Sequence, residues 1–144
     1  MKFDDAHDIV RLMRRLSMAQ RGRKIELLRD LGLQPGQDVV LMELSFAGST
    51  SQNELAAAAE VDEPSVGRSL ARLQRHGLVE RAQDPTDLRR RTVTLTPAGE
   101  KLIPKIREIY KHLAEEAVGD YRDLDFLREH LGEIAARLGR PPVR

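Results

Sequence analysis

The residues best suited to chemistry in this chain are arginines set at helical spacing. Between Glu63 and His76, Val66, Leu70 and Leu73 recur at i, i+4 and i+7 and predict one apolar face of a helix. The opposite face carries Ser65, Arg68, Ser69, Arg72 and Arg75 or His76. An arginine bridges guanine in a major groove, and a serine hydroxyl donates or accepts without bulk. An amphipathic surface helix with solvated arginines has the same pattern, so this helix alone does not separate the two readings. A second group is Asp84-Pro85-Thr86-Asp87-Leu88-Arg89-Arg90-Arg91. Three consecutive arginines on a turn cannot all point one way. Asp87, two residues before Arg89, is expected to hold that side chain extended, which suits a narrow and strongly negative minor groove. The alternative is a charged, solvated hairpin that blunts an edge strand.

These groups need elements to position them. A long helix is predicted over about 4–31, with Ile9, Leu12, Met13, Leu16, Ile25, Leu28 and Leu31 at helical spacing and Gly32 as its stop. A second helix is predicted over about 35–46, with Pro35 in its first turn and Gly48 at its end. Ser51-Gln52-Asn53-Glu54 is a capping box that opens a short alanine-rich helix. After the turn Glu60-Val61-Asp62, Asp62 caps the arginine helix, Pro64 lies in its first turn and Gly77 stops it. The period then changes. Residues 78–82 and 91–96 read as strands around the turn cluster 83–87, a hairpin with an arginine-rich end. Thr96 and Pro97 open another helix, Gly119 breaks it, and a last helix carries Leu124, Leu127, Leu131, Ile134 and Leu138 in a three-four alternation. That seam is too apolar for a lone exposed helix, so it is expected to be buried in a two-fold interface with the first helix and the helix after Thr96. The tail from Arg140 is expected to fray. The order of elements is a helix-turn-helix followed by a wing, which lowers the weight of the solvated-helix reading.

Composition narrows the function classes. The chain has 144 residues, 40% hydrophobic and 33% charged, and no cysteine. This excludes disulfides, thiolate zinc sites and thiol chemistry, and it fits a reducing compartment. The N-terminus carries three aspartates and no apolar h-region, and no apolar run approaches a membrane span. A cytoplasmic protein without a membrane partner is expected. His7, His76, His112 and His130 are scattered without metal-ligand spacing, so no metal and no cofactor are expected. Met13, Met18 and Met42 are expected in the core. No nucleophile elbow, Walker or dinucleotide motif is present, and no enzyme is expected. The net charge of +1 hides an asymmetry. From Pro64 to Thr92 seven arginines oppose three acids, whereas from Glu108 to Glu133 eight acids oppose three bases. Of three readings of the basic stretch Arg11–Lys24, phosphate contact, pairing with the acidic C-terminal region and solvation, the last two are expected.

The stretch LVERAQDPTDLRRRTVTLTPAGEKL resembles the wing and following helix of MarR-family regulators. The positions that carry the likeness are Asp84, Pro85, Asp87, Arg89, Leu95, Thr96 and Gly99. The stretch from Pro64 to Val79 is similar to the family's recognition helix and its Gly-Leu-Val exit. Two positions depart: Gly67 stands where a hydroxyl or larger side chain is common, and Leu88 where an arginine or small residue is. The resemblance implies a mainly α fold with a small β-hairpin wing. Residues 35–96 would form a winged helix-turn-helix lobe, and residues 1–34 and 97–144 the dimerisation helices of one intertwined domain. It also implies a homodimer on palindromic operators, often a repressor, with a pocket for a small-molecule effector. The candidate DNA-facing residues are Ser65, Arg68, Ser69, Arg72 and Arg75 on the helix, with Asp87, Arg89, Arg90 and Arg91 on the wing. The alternative is a winged helix that binds protein, its arginines pairing acidic partners.

Overall fold

The computed structural model describes residues 1–139; the fraying expected from Arg140 onward lies outside them. The chain separates into two compact units, one over Met1–Leu113 and one from Ala114 onward.

In the first unit, helix α1 runs over Phe3–Leu28 and tightens into a 3-10 turn at Arg29–Leu31, a little short of the single helix expected. Gly32 closes it at φ 67, a left-handed conformation that glycine adopts without a Cβ clash. Helix α2 covers Gln37–Ala47. Pro35 is therefore not in its first turn, as expected from the sequence, but ahead of it. Gly36, at φ 101, takes the cap position and turns the chain. Strand β1, Ser49–Ser51, leads into helix α3, Gln52–Ala59, through the predicted capping box: Ser51 Oγ accepts from Glu54 N, and the Glu54 carboxylate accepts from Ser51 N. Helix α4, Glu63–Arg75, is capped by Asp62.

Strands β2, Val79–Gln83, and β3, Arg91–Leu95, pair antiparallel with Val79 opposite Leu95 and Gln83 opposite Arg91. The hairpin is not alone. β1 adds to the other edge of β3, Thr50 opposite Val93, giving the order β1-β3-β2. Three residues carry no readable alternation, so this strand has no sequence signal of its own.

Helix α5, Pro97–Val118, begins at Thr96. The Thr96 hydroxyl donates to Gly77 O at 2.6 Å and accepts from Gly99 N at 3.1 Å, and Thr96 N donates to Leu78 O. A Cβ on Gly99 would stand 2.1 Å from Leu78 O. The helix start therefore presses on Leu78, between α4 and the hairpin, as closely as backbone allows, and only glycine fits there.

One core joins these pieces. Leu28, Leu41, Leu44, Leu55, Val66, Leu70, Leu73, Val79, Val93 and Ile106 are almost wholly buried together. Met42 belongs to this core, as expected. Met13 and Met18 do not: both are exposed on α1, as are Ile9, Val10, Leu12 and Leu16.

In the second unit, Gly119 turns the chain at φ 55 and Asp123 caps helix α6, Leu124–Leu138. Its Leu124, Phe126, Leu131, Ile134 and Leu138 are exposed. Among the described residues no helix is long and apolar enough to cross a membrane.

Candidate nucleic-acid interface

Val66, Leu70 and Leu73 anchor α4 in the core with no exposed surface, which fixes its rotation about its own axis. Arg68, Arg72 and Arg75 are consequently exposed, with Ser65 and Ser69 half-buried at the edge of that face. The first turn is wired tightly. Asp62 Oδ1 accepts from Ser65 N at 2.9 Å, and Asp62 Oδ2 accepts from Ser65 Oγ at 2.7 Å. Arg68 Nη2 donates to Ser65 Oγ at 2.8 Å. The hydrogen bonds from the Ser65 hydroxyl and amide hold the Asp62 carboxyl below the usual carboxylate range. Ser65 thus spends its proton on the cap and its lone pair on Arg68, and it orients that arginine. Arg72 Nη1 donates to Gln34 Oε1 at 2.6 Å, a partner from the loop before α2 that the sequence did not single out.

Gly67 packs closely on α3. A Cβ there would stand 3.1 Å from Gln52 Nε2, the far end of a flexible side chain, which would have to shift by a few tenths of an ångström.

The wing tip is held by its own backbone and short side chains. Asp84 N donates to Arg90 O at 2.8 Å and Gln83 Nε2 to Leu88 O at 3.2 Å. Asp84 Oδ1 accepts from both the amide and the hydroxyl of Thr86, which lowers the Asp84 pKa. Asp87 does not hold the Arg89 side chain, as the spacing suggested. Its Oδ1 accepts from the Arg89 amide at 3.0 Å, an Asx turn that shapes the loop and leaves the guanidinium in solvent. Arg90 turns away from the tip and pairs with Glu54 Oε1 at 2.6 Å, fastening the wing to α3. The Ser51 amide, the Thr50 hydroxyl and Arg90 all stabilise the Glu54 carboxylate and pull its pKa down to about 2. Arg89 and Arg91 are exposed, and neither side chain has a partner among the described residues.

The structure thus brings Asp62, Ser65 and Arg68 together, ties Arg72 to Gln34 and Arg90 to Glu54, and leaves Arg75, Arg89 and Arg91 without side-chain partners among the described residues. Gln34, Gln52 and Glu54 are additions that sequence reading did not place at the site. Glu54 carried a signal as part of the capping box, but Gln34 and Gln52 carried none.

A helix-turn-helix with an exposed arginine face, followed by a clamped wing, defines a winged-helix protein. The MarR family model matches residues 31–90. The uncharacterised HTH-type transcriptional regulator YwoH of Bacillus subtilis (strain 168) is 35% identical over 100 residues, covering 69% of this chain and 72% of YwoH. The transcriptional regulator HosA of Escherichia coli O111:H- is 34% identical over 97 residues, covering 67% of this chain and 65% of HosA. The crystal structure of the reduced form of MarR from E. coli aligns over 86% of this chain and 93% of that one, with a TM-score of 0.74 at 26% identity. A mutant MarR from E. coli complexed with operator DNA shares the fold over 93% of this chain and 98% of that one, with a TM-score of 0.81 at 24% identity. The chain belongs to the MarR family of transcriptional regulators. Its fold is mainly helical with a small β wing, and by family it is a regulator and not an enzyme.

Proposed function

We propose that this regulator is a sequence-specific DNA-binding protein that acts as a homodimer on palindromic operators, represses the genes it governs from the cytoplasm, and is released by a small-molecule effector. The observation that carries the DNA reading is α4: a helix rotationally locked by three buried residues, with Arg68, Arg72 and Arg75 on its open side. Arg68, Ser69, Arg72 and Arg75 enter the major groove, with Ser65 setting Arg68 from behind. Arg89 and Arg91 serve the minor groove and its phosphates, while Asp87 shapes the tip and Arg90 holds the wing in place. The mutant MarR related in fold is itself seen with operator DNA, which supports the same use of the fold here. The dimer is supported by the uncovered apolar residues of α1 and α6.

The test is binding of the purified chain to duplexes enriched from a random-sequence pool. Enrichment of a two-fold symmetric motif is expected, with log affinity falling as log salt rises by about 0.9 for each phosphate contacted. An affinity unchanged between low and moderate salt would contradict a phosphate-rich interface. Failure to enrich any motif would transfer the winged helix to protein binding.

A further inference from the structure

We infer that Gln34 is a positioning residue that sets how Arg72 reads DNA, an inference that rests on the DNA-binding reading above. Gln34 lies outside the helix-turn-helix, 38 residues before Arg72, yet its Oε1 accepts from Arg72 Nη1 at 2.6 Å. Both residues are exposed, so burial does not force the contact.

The acceptor stands on a fixed base. Gln34 N donates to Gln37 Oε1 at 3.0 Å, and Gln37 N donates back to Gln34 O at 3.0 Å. Gln37 is itself buried. Two residues on, Gly36 N donates to Asp38 Oδ1 at 2.9 Å. Asp38 is fully buried and also binds Lys24 of α1 and Tyr110 of α5. The backbone that delivers Gln34 is therefore pinned to three helices, and from it the Gln34 side-chain amide reaches the arginine.

The chemistry decides which edge of Arg72 is left. A guanidinium has five N–H donors in a planar fork and no acceptor. Gln34 takes Nη1. The side edge, Nε and Nη2, has no partner among the described residues and presents two parallel donors. Guanine N7 and O6 match that edge. Holding a long side chain in one orientation before binding removes ordering entropy that binding otherwise costs. Without Gln34, Arg72 keeps its charge but not its direction. It then serves any phosphate within reach, so discrimination falls while affinity for random DNA stays.

The experiment takes the motif enriched by the wild-type protein and a scrambled duplex of equal length, at one fixed salt. Wild type, Gln34→Ala, Gln34→Glu, Arg72→Ala and the double variant Gln34→Ala/Arg72→Ala are compared. Gln34→Ala is expected to lower the ratio of motif to scrambled affinity by about tenfold, the low end for a charge-assisted hydrogen bond, with scrambled affinity unchanged. In the Arg72→Ala background the same substitution is expected to change nothing, because its only route is through Arg72. Gln34→Glu keeps an acceptor and is expected to restore the ratio, even though its added negative charge weakens both affinities alike. The inference is overturned if Gln34→Ala weakens both duplexes equally, if its effect persists in Arg72→Ala, or if Arg72→Ala costs discrimination while Gln34→Ala costs none. Those outcomes leave DNA binding standing. A wild-type protein that enriches no motif removes both readings together.

Discussion

Asp38 shows what a single side chain is asked to do here. Its carboxylate has no exposed surface, and an isolated charge in that position would be prohibitive. It is matched by Lys24 Nζ at 2.6 Å, Tyr110 OH at 2.7 Å and Gly36 N at 2.9 Å. Lys24 also lies 5.2 Å from the centre of the Tyr110 ring. Burial, and then the hydrogen bond to Asp38, push the Tyr110 hydroxyl well above its ordinary pKa. Lys24 was expected to be solvated or to pair with the acidic C-terminal region; it instead serves the core. The consequence is testable by denaturant titration. Lys24→Met strands a buried carboxylate and is expected to cost about 3–5 kcal/mol. Tyr110→Phe removes one donor of three and is expected to cost about 1–3 kcal/mol. The pair Lys24→Met/Asp38→Leu, which removes both charges, is expected to be less destabilised than Lys24→Met alone. Glu54 gives the second prediction at this scale, one of pH. Its folded pKa, about 2, lies below the ordinary 4.5. A depressed carboxylate contributes its stability fully above the unfolded value and loses it as pH falls toward the folded one. The contribution of Glu54 is therefore expected to decline between pH 4.5 and about 2, and to be missing at every pH in Glu54→Gln. Carboxyl chemical shifts and thermal unfolding across that range check it. A Glu54 midpoint near the ordinary value would break the link to Ser51, Thr50 and Arg90.

At the scale of elements, the wing and the recognition helix are expected to act differently on DNA. Arg72 is braced by Gln34 on the exposed arginine face of α4, whereas Arg89 stands exposed on the wing tip. Arg72→Ala is expected to cost about 1–3 kcal/mol on the enriched motif and far less on scrambled duplex, as a lost base contact does. Arg89→Ala is expected to weaken both more evenly, because minor-groove and phosphate contacts sense charge and width. Equal losses for Arg72→Ala would make it a phosphate clamp. No loss for Arg89→Ala would take the wing off the DNA. Much of this layout was legible beforehand, and the reason is locality. The Ser51–Glu54 box, the Asp62 cap, the Thr96–Pro97 start and the stops at Gly32, Gly48, Gly77 and Gly119 each depend on a few neighbouring residues. What escaped depends on partners far along the chain. β1 exists because β3 offers it an edge, and Gln34 matters because Arg72 lies across from it. The Pro35 assignment failed for a local reason of another kind: Gly36 at φ 101 bends the path before the helix begins. Asp87 failed because a short acidic side chain satisfies a nearby amide more readily than it reaches along an arginine.

At the scale of the molecule, apolar residues lie exposed along both α1 and α6 among the described residues. On α1, Ile9, Val10, Leu12, Leu16 and Met18 are exposed, and on α6, Leu124, Leu131, Ile134 and Leu138 are. Helical spacing announced both stripes and placed Met13 and Met18 in a core, but spacing cannot tell whether the covering surface belongs to the same chain. Scattered exposed leucines need no explanation, whereas stripes that persist along two helices do. A second copy supplies an identical stripe, and a two-fold contact is self-complementary by construction. Such a dimer, if obligate, buries at least about 2,000 Å² in total. It also duplicates α4, and paired recognition helices read half-sites separated by about 34 Å, one turn of the duplex. The expected outcome is a dimer by light scattering at micromolar concentration. Leu131→Glu/Ile134→Glu places two charges in the middle of the α6 stripe and is expected to shift the protein toward monomer. These residues are distant in sequence from Arg68, Arg72 and Arg89, so any loss on DNA comes through the missing second half. Affinity for the full palindrome is accordingly expected to fall much more than affinity for a single half-site. A wild-type monomer at micromolar concentration removes the paired half-sites. Equal losses on palindrome and half-site would instead mean that the α6 substitutions disturb the DNA-binding lobe itself.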